Sequence, residues 1–304
     1  MQVSPYILLA LTSLFWSLNF IIGKILANVM PPATISFFRW LIPCGFLLFF
    51  SWQEIRAHAT TFRFKWRLIL FLGATGYGLN SMCVYEAVRF TTTINTSFIN
   101  AFNPVLIAVA GYVMYRTRID RVQGLGFFLS LLGVLCIIFQ GHWDRVLSLQ
   151  MNVGDLFMLA SIGIWSIHTV LYQHTVPDFP DRALFTVMIF GGLLATLPFA
   201  LIENTLAHWS WVTQVGRVHV AGILALNIFP SLLAYHFWNQ ALQRISASQV
   251  AIFLYLIPVY TTIISVLFLG EQLKTFHILG GSIIFVGVLL VTNSRLLAKG
   301  ETAP

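Results

Sequence analysis

The residues of this chain that could bind, orient or titrate a solute lie inside long apolar runs. Tyr77, Ser81 and Tyr85 recur at i, i+4 and i+8, with Asn80 alongside. Thr93, Thr96, Asn100 and Asn103 follow helical spacing and so share one face. Tyr235, Trp238 and Asn239 gather on one side of a later run, and Tyr255 stands in the next. Trp16 and Asn19 lie in the first run, Trp165 and His168 in a run of the second half. Amides facing lipid are costly, so these faces turn toward a bundle interior or a water-filled cavity. Asn100 and Asn103, close to Pro104, read as cavity lining, and Thr93 and Thr96 as braces between helices. The rings lie too deep for the interfacial belts where Trp and Tyr collect. Together they would wall a pocket for flat, amphipathic or cationic solutes, the last held by cation–π attraction. Singly, each ring is better read as core packing. The interior prolines Pro104 and Pro258 each leave a carbonyl four residues earlier without its usual donor, and are read as hinges.

Lys24, Arg39 and Glu86 fall toward the outer ends of their runs, where long side chains can snorkel and where a charge couples or braces. Glu86 is read as the sole carboxylate within a span, either a proton-coupling site or, by preference, an ion-pair partner of Lys24 or Arg89. His168 near the midplane and His236 two turns away can titrate near neutral pH. A neutral, hydrogen-bonded state is the preferred reading of both. Intramembrane hydrolysis or group transfer would need a nucleophile–base pair or clustered metal ligands. No HExxH, GxSxG or paired-aspartate motif occurs. Gly73, Gly76 and Gly78 sit inside an apolar run and read as close helix packing rather than a phosphate loop. No catalytic residue, metal or cofactor is expected, so the chain is not read as an enzyme. With no Walker motif, any transport is gradient-driven or facilitative, and protons are a candidate coupling ion.

These side chains need a membrane-embedded scaffold. Of 304 residues, 58% are hydrophobic and only 9% charged, with mean hydropathy +0.83; ordinary globular proteins carry roughly 25% charged residues. That excludes a soluble enzyme, a nucleic-acid binder and a disordered chain. The net charge of +7 and pI near 9.6 then reflect basic cytoplasmic loops. Cys44, Cys83 and Cys136 each lie in an apolar run as small buried hydrophobes. A bilayer core needs about 20 helical residues, and ten runs qualify: 6–27, 33–52, 66–88, 92–115, 122–140, 152–174, 182–202, 218–242, 245–269 and 276–294. The first is long enough to span and residues 1–5 carry no Lys or Arg, so it reads as a span rather than a signal peptide. Barrel strands are only about ten residues long, so the spans are helices. Arg56, Arg63, Lys65, Arg67, Arg116, Arg118, Arg121, Arg182, Arg244, Arg295 and Lys299 fall on one side, and Arg89, Arg145, Arg217 and Lys274 on the other. Eleven against four puts the first group and both termini in the cytoplasm.

The halves repeat. Trp16-Ser17 matches Trp165-Ser166 at an offset of 149. Pro104-Val105 matches Pro258-Val259 at 154, and that register also pairs Ala87 with Ala241, Gly126 with Gly280 and Gly133-Val134 with Gly287-Val288. A duplicated five-helix unit, being odd, inserts its second copy upside down, as in secondary transporters with a midplane site. The expected fold is an all-α integral membrane protein of ten spans in two inverted repeats, residues 1–145 and 146–304. Trp16-Ser17, Asn19-Phe20 and Lys24 in helix one, Arg39 in helix two, Gly154-Asp155, Ala241, Pro258 and the turn Phe268-Leu269-Gly270-Glu271 before Gly280 resemble the EamA-type members of the drug/metabolite transporter superfamily. The first half departs from that pattern, with Arg116-Thr117 where the second has Gly270-Glu271. The resemblance implies a secondary transporter of the bacterial inner membrane, exporting amino acids, amines or related solutes by alternating access. Its partners would be a small-molecule substrate and the lipid bilayer, without nucleic acid, as a monomer or homodimer. An intramembrane enzyme, and after it a channel, are the alternatives; a channel would line its path with charge rings or carbonyls.

Overall fold

The computed structural model describes residues 3–116, 120–142, 151–175, 179–242, 244 and 253–300, with side-chain environments up to residue 291 in the last segment. Arg118, Arg145, Asp178 and residues 245–252 of the ninth expected span lie outside the described residues, as do the side chains of Arg295 and Lys299. The described residues form helices joined by short connections, with no strand among them. The order is α1 (Pro5–Ala27), α2 (Pro32–Ala57), the short α3 (Ala59–Phe64), α4 (Trp66–Phe90), α5 (Thr93–Asn100), α6 (Asn103–Tyr115), α7 (Arg121–Ile138), α8 (Val153–Thr175), α9 (Asp181–Leu206), α10 (Arg217–Ala241), α11 (Phe253–Leu269) and α12 (Thr275–Gly300). Among the described residues seven helices are long and apolar enough to cross a membrane, and the bent pair α5–α6 makes an eighth. The apolar helices α11 and α12 are shorter over their described apolar lengths, Phe253–Leu269 and Thr275–Val291.

The sequence dictates where these helices start. Proline stands in the first turn of α1, α2 and α6, where its missing N–H removes no bond. Thr92 is extended and accepts from the Asn95 N–H at 3.1 Å, capping α5. In lipid each segment must satisfy its own backbone, which helices do. The outer surface is correspondingly apolar, with Phe46, Phe49, Phe50, Leu201, Ile202 and Phe268 exposed, while Thr12, Ser17, Thr93, Ser97, Ser130 and Asp155 are buried.

The run 92–115 is not one straight helix. It breaks between Asn100 and Asn103, and α5 and α6 meet at 41°. Pro104 has no N–H to give Asn100, so the chain tightens through Phe102 N–H to Ile99 O and Val105 N–H to Phe102 O, both 3.0 Å. The expected single polar face therefore ends at the break. In the second half a 3₁₀ turn, Phe253–Tyr255, precedes Pro258 in the same way. Two other departures from α geometry correspond: π segments interrupt α4 at Ala74–Leu79 and α10 at Asn227–Leu233, around Gly78 and Pro230.

Helix pairing follows the same correspondence. α7 packs on α12 and α2 on α9; α4 packs on α8 as α10 does on α1; α6 packs on α8 as α11 does on α1. Gly126 faces the Gly287 backbone and Gly133 faces the Gly280 backbone, so the α7–α12 crossing is self-complementary. Gly126, Ser130 and Gly133 are thus engaged within the chain, with Ser130 Oγ donating to Ile284 O at 3.4 Å. Gly73 and Gly78 lie against Gly191 and Gly192 of α9, and Gly76 admits the His168 ring, so the glycine string serves close packing. Cys44 and Cys83 are buried and unbridged.

Candidate substrate-binding site

Arg39 sits about two turns into α2, opposite the point where the π segments of α4 and α10 widen their helices. It is 6% exposed. Its Nε donates to Ser231 Oγ at 3.0 Å, and its Nη1 to Tyr85 Oη at 3.3 Å and Ser81 Oγ at 3.5 Å. Tyr85 Oη passes its own proton to Asn19 Oδ1 at 2.9 Å. Trp40 Nε1 also donates to Ser81, at 3.4 Å, and the Arg39 guanidinium carbon lies 4.9 Å from the Trp40 ring centroid.

From Trp40 the rings continue. Trp40 meets Tyr77 edge-on at 5.1 Å and Tyr235 at 6.2 Å; Tyr235 meets Trp16 at 5.8 Å, and Trp16 meets Trp238 at 5.1 Å. Phe185 fills the angle between Tyr77 and Tyr235, at 5.5 and 5.3 Å. On the other side Tyr77 contacts His168 at 5.6 Å, and His168 stacks on Trp165 and Tyr172. His168 Nδ1 lies 3.0 Å from Leu72 O, an acceptor only, so Nδ1 carries the proton. Exposure rises along the ladder, from buried Arg39 and Tyr77 to half-buried Tyr235 and Trp238, while Asn239 is exposed and outside it.

The structure thus gathers Trp16, Asn19, Arg39, Tyr77, Ser81, Tyr85, Trp165, His168, Tyr235 and Trp238 into one connected cluster. Other expected residues fall outside it. Asn80 turns to α8, donating to Ser161 O and Oγ at 3.0 and 2.9 Å. Asn103 accepts from Ser166 Oγ at 3.0 Å, and Tyr255 packs edge-on against Phe285. Asn100 is half-buried at the α5–α6 break, and His236 is exposed with its ring against Gln240.

A second polar cluster closes the end of the bundle formed by residues 28–31, 91–92 and 270–274. Glu271 accepts from Thr93 N and Oγ1 and from Ile94 N at 2.8, 3.0 and 3.0 Å. Lys24 donates to Thr91 O at 3.0 Å rather than to Glu86, and interacts electrostatically with Glu271. Beside them Lys274 N donates to His277 Nδ1, His277 Nε2 to Asn95 Oδ1 at 2.7 Å, and Asn95 Nδ2 to Thr91 Oγ1 and, at 3.5 Å, to Asp155 Oδ1. Asp155→Ala is expected to cost about 1–3 kcal/mol by stripping buried donors of their acceptor. Asp155→Asn should recover most of that. Melting temperatures of the purified variants read both, and an alanine variant melting with the wild type would show the chain to be slack.

Glu86 is not alone in the membrane. Asp155 opens α8, and Glu203 near the end of α9 accepts from Ala33 N at 3.0 Å. Glu86 lies 4.0 Å from Arg89. With Asn28, Glu203 and Trp211 this pair lines a cavity of about 460 Å³ at the same end, separate from the aromatic ladder.

The profile of the EamA-like transporter family matches residues 3–139 and again 152–293. The chain belongs to the EamA-like transporter family. This transporter is 28% identical over 295 residues to an uncharacterized transporter of Archaeoglobus fulgidus, covering 97% of its own length and 99% of the relative. It is 25% identical to the uncharacterized transporter YyaM of Bacillus subtilis, covering 99% and 97%. It is 24% identical to a probable amino-acid metabolite efflux pump of Salmonella typhimurium, covering 90% of each. A solved crystal structure with 18% identity superposes with a TM-score of 0.62 over 96% of this chain and 98% of its own, which supports the fold. The protein is a multi-pass membrane transporter and not an enzyme.

The sequence reading of this transporter missed Trp40, Tyr172, Phe185, Ser231, Asn95 and Glu203. Trp40 was findable as the neighbour of Arg39, and Ser231 as the residue after an interior proline. Asn95 and Phe185 join their clusters only through long-range packing.

Proposed function

We propose that this protein is a secondary transporter that exports a small metabolite, an amino acid, amine or related solute, across the bacterial inner membrane by alternating access. The observation that carries the reading is the Arg39–aromatic cluster. It is assembled from α1, α2 and α4 of the first half and α8, α9 and α10 of the second, so any motion between halves reshapes it. Two five-helix repeats, residues 1–145 and 146–304, form ten spans with both termini cytoplasmic and the second repeat inverted. The twofold profile match, the paired π segments and the self-complementary glycine crossing support that architecture. The name of the Salmonella relative supports an amino-acid-like cargo and outward flux. Trp16, Asn19, Tyr77, Tyr85, Trp165, His168, Tyr235 and Trp238 bind the solute, and the breaks before Pro104 and Pro258 give the helices local compliance. The functional unit is a monomer or homodimer.

Counterflow in proteoliposomes tests this. Amino acids, amines and sugars are loaded in turn against a labelled pool, with and without a pH gradient. Saturable exchange with one solute class is expected, and accumulation driven by the gradient would mark protons as the coupling ion. Flux above carrier rates without saturation would replace the carrier by a channel. No exchange from folded protein across the panel would end the reading for those solutes.

A further inference from the structure

We infer that Arg39 is the receptor for a single carboxylate on the transported solute, so that the substrate is a small monoanionic or zwitterionic acid with a flat apolar body. The inference rests on the proposed transport site and names its substrate class. Arg39 is buried in a membrane helix, where an unneutralised charge is costly and rarely kept without a task. Its hydrogen-bond partners among the described residues are neutral: the hydroxyls of Ser231, Ser81 and Tyr85. The ion pairs seen among the described residues, Glu86 with Arg89 and Glu54 with Arg182, do not involve it. Its bonds leave from Nε and Nη1, and among the described residues Nη2 meets no acceptor and is not sealed from open space. A guanidinium held at Nε and at Nη1 by hydroxyls is pre-oriented, with the donors of Nη2 left to face a carboxylate oxygen.

Charge count narrows the ligand. One cation, with no second one in the cluster among the described residues, balances a monoanion; a phosphate dianion would be left half neutralised. The ring ladder narrows it further. Trp40 lies under the guanidinium, and Tyr235, Trp16 and Trp238 lead away from it toward greater exposure. A solute anchored at Arg39 would lay its apolar part along these faces, as aromatic side chains stack on one another.

The test is direct binding to the purified full-length protein, read by titration calorimetry, so that its outcome is independent of flux. The probes are L-phenylalanine, L-phenylalaninamide, 3-phenylpropionate and 3-phenylpropionamide. Each carboxylate is expected to bind the wild type about tenfold to a hundredfold tighter than its amide, the usual margin of a charge-assisted over a neutral hydrogen bond. Arg39→Gln should bring that ratio close to one, and Arg39→Lys to an intermediate value. Equal affinities in the wild type, a ratio that survives in Arg39→Gln, or no binding by either carboxylate overturns the assignment. Should Arg39→Gln not fold, the ratio in Arg39→Lys decides, and an unchanged one overturns it. Saturable counterflow of amines but not acids would overturn the carboxylate receptor and leave the transporter standing. Carboxylate binding without any flux would do the reverse.

Discussion

Gly133→Leu is expected to abolish recovery of folded protein, and Gly133→Ala to lower its melting temperature, whereas Gly124→Ala in the same helix leaves it unchanged or slightly raised. A Cβ on Gly133 would stand 2.6 Å from the Gly280 carbonyl oxygen and 2.8 Å from the Ile284 nitrogen. Both neighbours are helix backbone, which cannot rotate away as a flexible side chain can. A Cβ on Gly124 meets nothing within 4 Å among the described residues. Overpacking of this kind costs about 1–3 kcal/mol even for one added methyl, and a Leu adds three more carbons to the same crossing. The pattern doubles the effect: Gly280 approaches the Gly133 carbonyl as Gly133 approaches its own, so forcing the helices apart at one glycine loosens the other contact. Thermal unfolding followed by size-exclusion recovery of detergent-purified protein separates the three variants. If Gly133→Ala and Gly124→Ala melt together, the α7–α12 crossing is looser than its geometry indicates.

The contrast between these two glycines marks what the sequence can reveal. Gly126 and Gly133 stand out in the sequence because they recur one repeat later as Gly280 and Gly287, the glycines they pack against, whereas Gly124 has no such echo. Composition and run length likewise reveal a multi-helix membrane protein, because lipid leaves helices as the economical way to satisfy a spanning backbone. The cluster around Arg39 was half legible. Tyr77, Ser81 and Tyr85 share a face because helical spacing says so, yet the π segment at Ala74–Leu79 that turns Tyr77 toward Trp40 depends on tertiary packing against α9. The stripe from Thr93 to Asn103 failed for a local reason: spacing was carried through a proline that bends the run by 41°. Asn95 lies beside that stripe, and its importance comes from Asp155 and His277, residues 60 and 182 positions away. Neither periodicity nor propensity carries such information.

The second large effect is expected at Glu271, and it follows from completing the hydrogen-bond account of one helix start. Helix α5 has three N–H groups ahead of its first internal bond, which runs from Thr96 N to Thr92 O. Thr92 takes the N–H of Asn95, and Glu271 takes those of Thr93 and Ile94. With the Thr93 hydroxyl committed to Glu271 at 3.0 Å, Ser265 donates to Thr93 at 2.5 Å. A carboxylate from the second half therefore caps a helix of the first, in the favourable field of a helix N-terminus. The corresponding turn of the first half keeps the backbone but not the acid: Arg116 adopts φ 55 where Gly270 adopts φ 67, both left-handed. Glu271→Ala is accordingly expected to cost about 1–3 kcal/mol for each buried N–H it strands. Glu271→Gln, which keeps an acceptor but loses the charge, should cost less. In the alternating-access reading this cap must open whenever its end of the bundle opens, so Glu271→Ala should also make that end more accessible. A cysteine replacing Asn28, beside the cavity at this end, reports that as faster labelling by an impermeant maleimide in liposomes. Unchanged melting together with unchanged labelling would reduce Glu271 to a surface acid.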